Sequence, residues 1–259
     1  MNKLCVLFAN CQAFGLAHFL NKAGFPYETQ VFENYKLILG EQSPAALKES
    51  AGACDLFLYQ PTREMKHGEL SAEYYIEKVI PKHARAVSFG YQVQMGFFPL
   101  IGHGDGVLGT EYIEPFLKTN DLHTVLGAYD QGGMDFGLWP RFLYCAHEQA
   151  KREMECDIKM TDWIVQNRHK RLFLTFNHPC SILFAELAYR VMNHLELLGD
   201  ASLPPSCLSY NEANLPCEVP MSPYVIRQFG WREEPSEHAA SYYRTLLEIA
   251  WHKVNSQPA

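Results

Sequence analysis

Three short runs of this chain put reactive side chains directly after apolar segments. Asn10, Cys11 and Gln12 follow Leu4 to Phe8, Gln60 closes DLFLYQP at Asp55 to Pro61, and Asn177 and His178 follow RLFLTF at Arg171 to Phe176. A cysteine and a histidine together make a nucleophile and its base, and carboxamides can donate to an oxyanion forming at a carbonyl under attack. That set describes acyl chemistry. Cys11 also precedes Phe14, Leu16, Ala17, Phe19 and Leu20, whose clustering is helical, and a thiol at a helix N-terminus ionises more readily than a free one. The competing reading is a cysteine used only for packing, as free cysteines often are. Polar neighbours on both sides of Cys11 speak against it. A lone histidine after a strand is more often a structural hydrogen-bonder than a base, so the case for His178 rests on where its strand ends.

The elements that must position these residues follow from periodicity. Leu4 to Phe8 is too short for a core helix and apolar throughout, which predicts a strand buried on both faces in a parallel sheet. Further strands are predicted at Tyr27 to Tyr35, Asp55 to Pro61, Arg85 to Phe89 and Arg171 to Phe176. Helical patterns occupy Leu37 to Ala51, interrupted at Ser43-Pro44, then Glu69 to Ile80, Tyr112 to Lys118 and Thr119 to Ala128. Others cover Phe142 to Asn167, the longest, Ser181 to Leu198 with a stop at Gly199, and Glu237 to Val254. The expected fold is α/β: an open, mainly parallel five-stranded sheet flanked by helices, Rossmann- or flavodoxin-like, over residues 1–199. Residues 200–259 would form an irregular and helical C-terminal extension packed on it. In such sheets ligands bind at the carboxyl ends of the strands. If the first, third and fifth strands are parallel, Cys11, Gln60 and His178 meet at one edge.

Composition narrows the function. The formal charge is −7, from 22 Lys and Arg against 29 Asp and Glu, which opposes a nucleic-acid or membrane-surface role. An anionic ligand must therefore find local positive charge. Arg63 and Lys66 follow the third strand and fall on the active edge, whereas Arg168 to Arg171 precede the fifth strand and fall on the opposite one. The eight cysteines include no CxxC pair, and no Cys or His pair has metal-ligand spacing, so a reducing cytoplasm and no metal are expected. No apolar stretch reaches transmembrane length. The glycine-rich runs GHGDG at 102–106 and QGGMDFG at 131–137 do not join a clear strand to a clear helix, which favours irregular loops over a phosphate-binding loop.

ANCQ after the first strand, YQP after the third, the long helix with Glu148, Arg152 and Asp157, and RLFLTFNHP together resemble the WcbI family of capsular polysaccharide biosynthesis enzymes. The resemblance runs from Leu4 to Leu198 in motif order and leaves out the last sixty or so residues. Ala9 stands where the family usually has glycine. The family is regarded as acetyltransferases that bind coenzyme A, and its layout is similar to SGNH esterases, with a nucleophile after strand one and a late histidine. Here cysteine replaces the serine and no DxxH precedes His178, so the group orienting that histidine is open, with Asp135 and Glu148 among the candidates. The resemblance implies a coenzyme A-binding O-acetyltransferase that moves acetyl from acetyl-coenzyme A to a sugar hydroxyl. Cys11 would accept the acyl group, or His178 would activate the hydroxyl for direct transfer. Asn10, Gln12, Gln60 and Asn177 would hold the oxyanion or substrate, and Arg63 and Lys66 the coenzyme A phosphates. An SGNH-like acyl esterase, and a non-catalytic coenzyme A or nucleotide-binding module, are the alternatives. Release of free thiol from acetyl-coenzyme A, with and without sugars, separates the three.

Overall fold

A computed structural model describes residues 3–102, 108–198, 219–232, 234, 235 and 238–256. GHGDG after Gly102 and the predicted stop at Gly199 lie outside the described residues. In chain order the elements begin with β1 (Lys3–Ala9), α1 (Gln12–Lys22), β2 (Tyr27–Glu33), α2 (Asn34–Ile38), α3 (Pro44–Gly52) and β3 (Leu56–Tyr59). Next come α4 (Glu64–His67), α5 (Ala72–Lys78), β4 (Arg85–Ser88), β5 (Leu100–Ile101), β6 (Leu108–Gly109), α6 (Glu114–Thr119) and α7 (Leu122–Asp130). The chain continues through α8 (Leu138–Glu153), α9 (Thr161–Gln166), β7 (Phe173–Thr175), β8 (His178–Pro179) and α10 (Ser181–His194). It closes with α11 (Pro223–Phe229) and α12 (Ala239–Asn255). Among these, no helix is long and apolar enough to cross a membrane.

With the undescribed residues set aside, the chain packs as two compact units. One gathers Met1–Gln92, Gln149–Trp163 and Pro179–Asn214, the other Val93–Glu148, Ile164–His178 and Leu215–Ala259. The division expected at residue 199 is therefore not the one the packing draws. Residues after 218 belong to the core of the second unit: Tyr243 Oη donates to the Pro220 carbonyl and Trp251 Nε1 to that of Asn120. Phe97 meets Phe142, Phe173, Phe229 and Trp231 there, joining segments far apart in sequence.

The first unit carries the parallel sheet, in the order β2-β1-β3-β4. Cys5 to Phe8 have no exposed surface, as an unbroken apolar strand in the middle of such a sheet requires. Phe8 pairs with Phe32 on one side and Tyr59 on the other, and Tyr59 pairs with Ser88, so all four carboxyl ends finish level. The strand order reverses at β1, the switch point beside which ligands bind in doubly wound sheets.

Two expectations need correction. The fifth strand does not join this sheet: Phe173–Thr175 forms a separate two-stranded sheet with His178–Pro179. Beside β4 there is instead a single bridge from Phe89 to Ile158. The long helix from Phe142 to Asn167 is two helices, because Asp157 and Glu153 turn the chain between them. Asp157 Oδ2 accepts from the Ser88 N–H and hydroxyl at 2.8 and 2.7 Å, and the Asp157 N–H returns a bond to the same hydroxyl. Glu153 Oε2 accepts the N–H groups of Met160 and Thr161, the first turn of α9, as a capping carboxylate does. By contrast the break at Ser43-Pro44 is as expected, with Ser43 accepting from Ala46 N–H and Pro44 opening α3. α10 ends before residue 199, with Glu196 at φ 60° taking the left-handed position usually given to glycine.

Candidate active site

Cys11 stands at the N-cap of α1, half-buried, in helical backbone geometry and without capping the helix through its side chain. That duty falls to its neighbour: Asn10 Oδ1 accepts the Gln12 N–H at 3.0 Å, and the Asn10 carbonyl accepts that of Ala13. With Oδ1 so fixed, the Asn10 amide hydrogens on Nδ2 have no acceptor among the described residues and can donate to a ligand at the turn. Of the other described cysteines, Cys5, Cys54, Cys145, Cys156 and Cys180 are all buried. Burial pushes the Cys5 thiol up strongly and those of Cys54 and Cys156 up to about 11, which makes them poor nucleophiles.

A chain of buried side chains underpins the cysteine turn. Gln60 Oε1 accepts the Asn10 N–H at 3.1 Å, and its Nε2 donates to Gln12 Oε1 at 3.2 Å. Gln12 Oε1 also accepts the Gln92 N–H, while Gln12 Nε2 donates to the Gln92 carbonyl at 2.7 Å. Gln92 Nε2 donates to the Gly90 carbonyl, and its Oε1 accepts from Gln149 Nε2 at 2.6 Å. Gln149 Nε2 donates in turn to Glu153 Oε1 at 3.0 Å. Gln12 and Gln149 are 1% exposed and Gln60 5%, so the structure places two of the predicted oxyanion donors inside the scaffold beneath the turn. Every buried amide here is matched, as buried polar groups must be. Gly90 makes room at the end of the chain: a Cβ there would come within 2.7 Å of Glu153 Cγ.

Sequence reading missed Gln92, Gln149 and Glu153. The available signal was a pair of polar residues four apart, Gln149 and Glu153, on a helix otherwise apolar on that side, together with a glutamine just beyond the fourth strand. It also missed Tyr35, close enough to Cys11 to feel the charge of its thiolate. Burial, a hydrogen bond to Glu33 and then the Glu33 charge raise the Tyr35 hydroxyl's pKa, and Cys11 adds to the same direction. Lys36 pairs with Glu33 and lies over the rings of Phe14 and Tyr35.

His178 falls in the second unit, half-buried, and burial lowers its pKa so that the neutral imidazole is favoured. Its Nδ1 lies 2.6 Å from Thr175 Oγ1, and the same hydroxyl lies 3.1 Å from Asn177 Oδ1. The amide oxygen can only accept, so it takes the single hydroxyl proton. Nδ1 must then donate to Thr175, which leaves Nε2 with the lone pair a general base needs. Thr175 thus meets the ring nitrogen for which Asp135 and Glu148 were candidates. Asp135 Oδ1 accepts the Gly137 N–H.

Arg63 pairs with Glu155 and Glu73, beside a cavity of about 170 Å³ also lined by Tyr59, Thr62 and Glu77. Lys66 is exposed on α4. Among the described residues no group of three or more His, Cys, Asp or Glu side chains could hold a metal ion.

The structure of WcbI, described as a novel polysaccharide biosynthesis enzyme and as the native protein without a disulfide bond between coenzyme A and one of its cysteines, superposes with a TM-score of 0.71. It is 22% identical, and the match covers 99% of this chain and 96% of that one, so the two share a fold over nearly their whole length. No curated protein sequence matches the chain. The sequence profile of the polysaccharide biosynthesis enzyme WcbI matches residues 4–133, the half of the chain that includes the whole parallel sheet and the Cys11 turn, and the chain belongs to that family.

Proposed function

We propose that the protein is an O-acetyltransferase that takes acetyl from acetyl-coenzyme A and delivers it to a sugar hydroxyl during polysaccharide biosynthesis. The observation that carries the reading is the Cys11 turn: a partly exposed thiol at a helix N-terminus, at the switch point of a parallel sheet, on a buried amide scaffold. Support for coenzyme A comes from the related structure, whose description pairs that molecule with a cysteine. We carry the pairing to Cys11, the cysteine that follows β1.

In the covalent route the Cys11 thiolate attacks the thioester carbonyl and expels the coenzyme A thiolate, giving S-acetyl-Cys11. His178 Nε2 then takes the proton of the sugar hydroxyl as its oxygen attacks, and the Cys11 thiolate leaves. Asn10 Nδ2 is the amide best placed to donate to the oxyanion, since Gln12 and Gln60 are engaged in the scaffold. The direct route uses the same base with no acyl-enzyme. Lys66 is the readier cation for the coenzyme A phosphates, because Arg63 must leave two carboxylates to serve there.

The test follows free thiol released from acetyl-coenzyme A with sugar acceptors present, for Cys11→Ala, His178→Ala and the double variant. Residues that share one step fall to a common floor rather than multiplying their losses. Near wild-type transfer by both single variants would end the Cys11–His178 pairing, and thiol release that ignores the acceptor would make the protein a hydrolase.

A further inference from the structure

Within the second unit, α11 and the loop before α8 enclose a cleft of about 460 Å³ whose lining includes Gly132, Asp135, Trp139, Tyr224, Arg227 and Gln228. A neighbouring cavity of about 390 Å³ shares Gly132, Tyr224 and Arg227. Both volumes fall in the range of small-molecule sites, roughly 300–1,000 Å³. Arg227, an exposed side chain of α11, lines both. Its guanidinium lies 5.0 Å from the centroid of the Tyr224 ring, and a Cβ at Gly132 would come within 2.8 Å of its Nη1. Gly132 also has φ 74°, the left-handed backbone conformation that favours glycine. Tyr224 is itself held, its hydroxyl donating to the Tyr129 carbonyl at 2.7 Å.

Among the described residues Arg227 forms no ion pair, in a chain whose net charge is −7. A guanidinium over an aromatic ring can still present N–H groups to a planar anion. Arg168 lies 5.6 Å from the ring centroid of Trp139, which lines the cleft, and its Nη1 donates to the Val165 carbonyl. Asp135, also in the lining, accepts the Gly137 N–H on Oδ1 and keeps Oδ2 as an acceptor, and Gln228 lines the same cleft. A carboxylate repels a polyphosphate but accepts from hydroxyls. A guanidinium over an aromatic ring, a carboxylate oxygen, a carboxamide and aromatic walls together match a polyol that carries one anionic group.

We propose that this cleft binds the saccharide acceptor through an anionic substituent, a carboxylate or a phosphate monoester, seated on Arg227, with Asp135 and Gln228 holding its hydroxyls. The inference rests on the acetyl-transfer reading only in calling the saccharide an acceptor. Calorimetry would compare a uronic-acid disaccharide, its carboxyl-reduced neutral counterpart, a hexose 1-phosphate and coenzyme A, on the intact protein without acetyl-coenzyme A. The expected result is tighter binding of an anionic sugar than of the neutral one. Which anionic sugar binds names the source. Arg227→Gln should remove on the order of 10- to 100-fold of that affinity, as for one lost charge-assisted contact, and leave the neutral sugar unchanged. Gly132→Ala, which displaces the guanidinium without touching its charge, should do the same, and Asp135→Asn should weaken both sugars. Melting curves check that each variant folds. Equal binding of charged and neutral sugars, or an Arg227→Gln effect confined to coenzyme A, would overturn the proposal. Anion-selective sugar binding by a protein that transfers no acetyl would sink the transfer reading alone.

Discussion

Glu153→Gln is the sharpest probe of the scaffold under Cys11, because it changes one atom type and no shape. Glu153 is 1% exposed and accepts four hydrogen bonds: Gln149 Nε2 on Oε1, and Met160 N–H, Thr161 N–H and the Thr161 hydroxyl on Oε2. A glutamine can keep its oxygen toward the three donors around Met160 and Thr161, but its amide nitrogen then faces Gln149 Nε2. Turning the Gln149 amide over would set its oxygen against Gln92 Oε1, now 2.6 Å from the nitrogen. Turning Gln92 as well would break its bond to the Gly90 carbonyl. Wherever the mismatch settles, one buried polar atom loses its partner, at a cost of about 1–3 kcal/mol. The bonds that remain weaken as the charge is lost, while the relief of burying a charge offsets them. The mismatch therefore sets the magnitude, a fall in melting temperature of roughly 2–12 °C for a chain of this size. Calorimetric melting of wild type, Glu153→Gln, Gln149→Leu and the double variant would measure it. Gln149→Leu removes the donor that glutamine opposes, so the double variant should lose clearly less than the sum of the two single losses. Additive losses, or a Glu153→Gln protein as stable as wild type, would refute a network whose direction is set by the carboxylate.

Other outcomes rest on the Cys11 turn and on the surroundings of His178. Iodoacetamide at pH 7 should alkylate Cys11 faster than the buried Cys5, Cys54, Cys145, Cys156 and Cys180, read by peptide mapping, and a slower Cys11 would remove it as nucleophile. Because burial lowers the His178 pKa below its ordinary 6.5, its imidazole is neutral at pH 7, so in the proposed transfer protonation of His178 should cut kcat/KM only below pH 6.5. In the same window the folded state binds this proton less readily than the unfolded one, so its share of stability is complete above pH 6.5 and declines below. Thr175→Val, which takes away the acceptor of Nδ1–H, should lower kcat by about tenfold, one hydrogen bond's worth, with Thr175→Ser restoring it. Equal rates for the valine and serine variants would leave Thr175 no orienting role.

The sequence by itself determined the local elements and the edge. Leu4 to Phe8 had to be a central strand because an unbroken apolar run of that length is stable only when both faces are covered. Ser43-Pro44 had to restart a helix because proline lacks the N–H that a helix interior uses, and Asn10-Cys11-Gln12 had to lie at a strand end. Each of these depends on neighbours a few residues away. What depended on partners far along the chain was decided by the tertiary structure. RLFLTF reads as a sheet strand, but its backbone bonds go to His178–Pro179 and, at Leu174, to Val219, while the edge of β4 bonds to Ile158. The pattern from Phe142 to Asn167 stays helical in period across a break, because Ser88, some seventy residues earlier, supplies the bonds that hold Asp157 out of the helix. Gln12 and Gln60 were recognisable as polar residues at a site, yet whether their amides face a substrate or a scaffold turned on Gln92, Gln149 and Glu153, whose bonds to them and to one another form only when the segment after β4 meets the last turn of α8. A side chain's type can be read from sequence; which hydrogen-bond partner consumes it is a property of the packed whole.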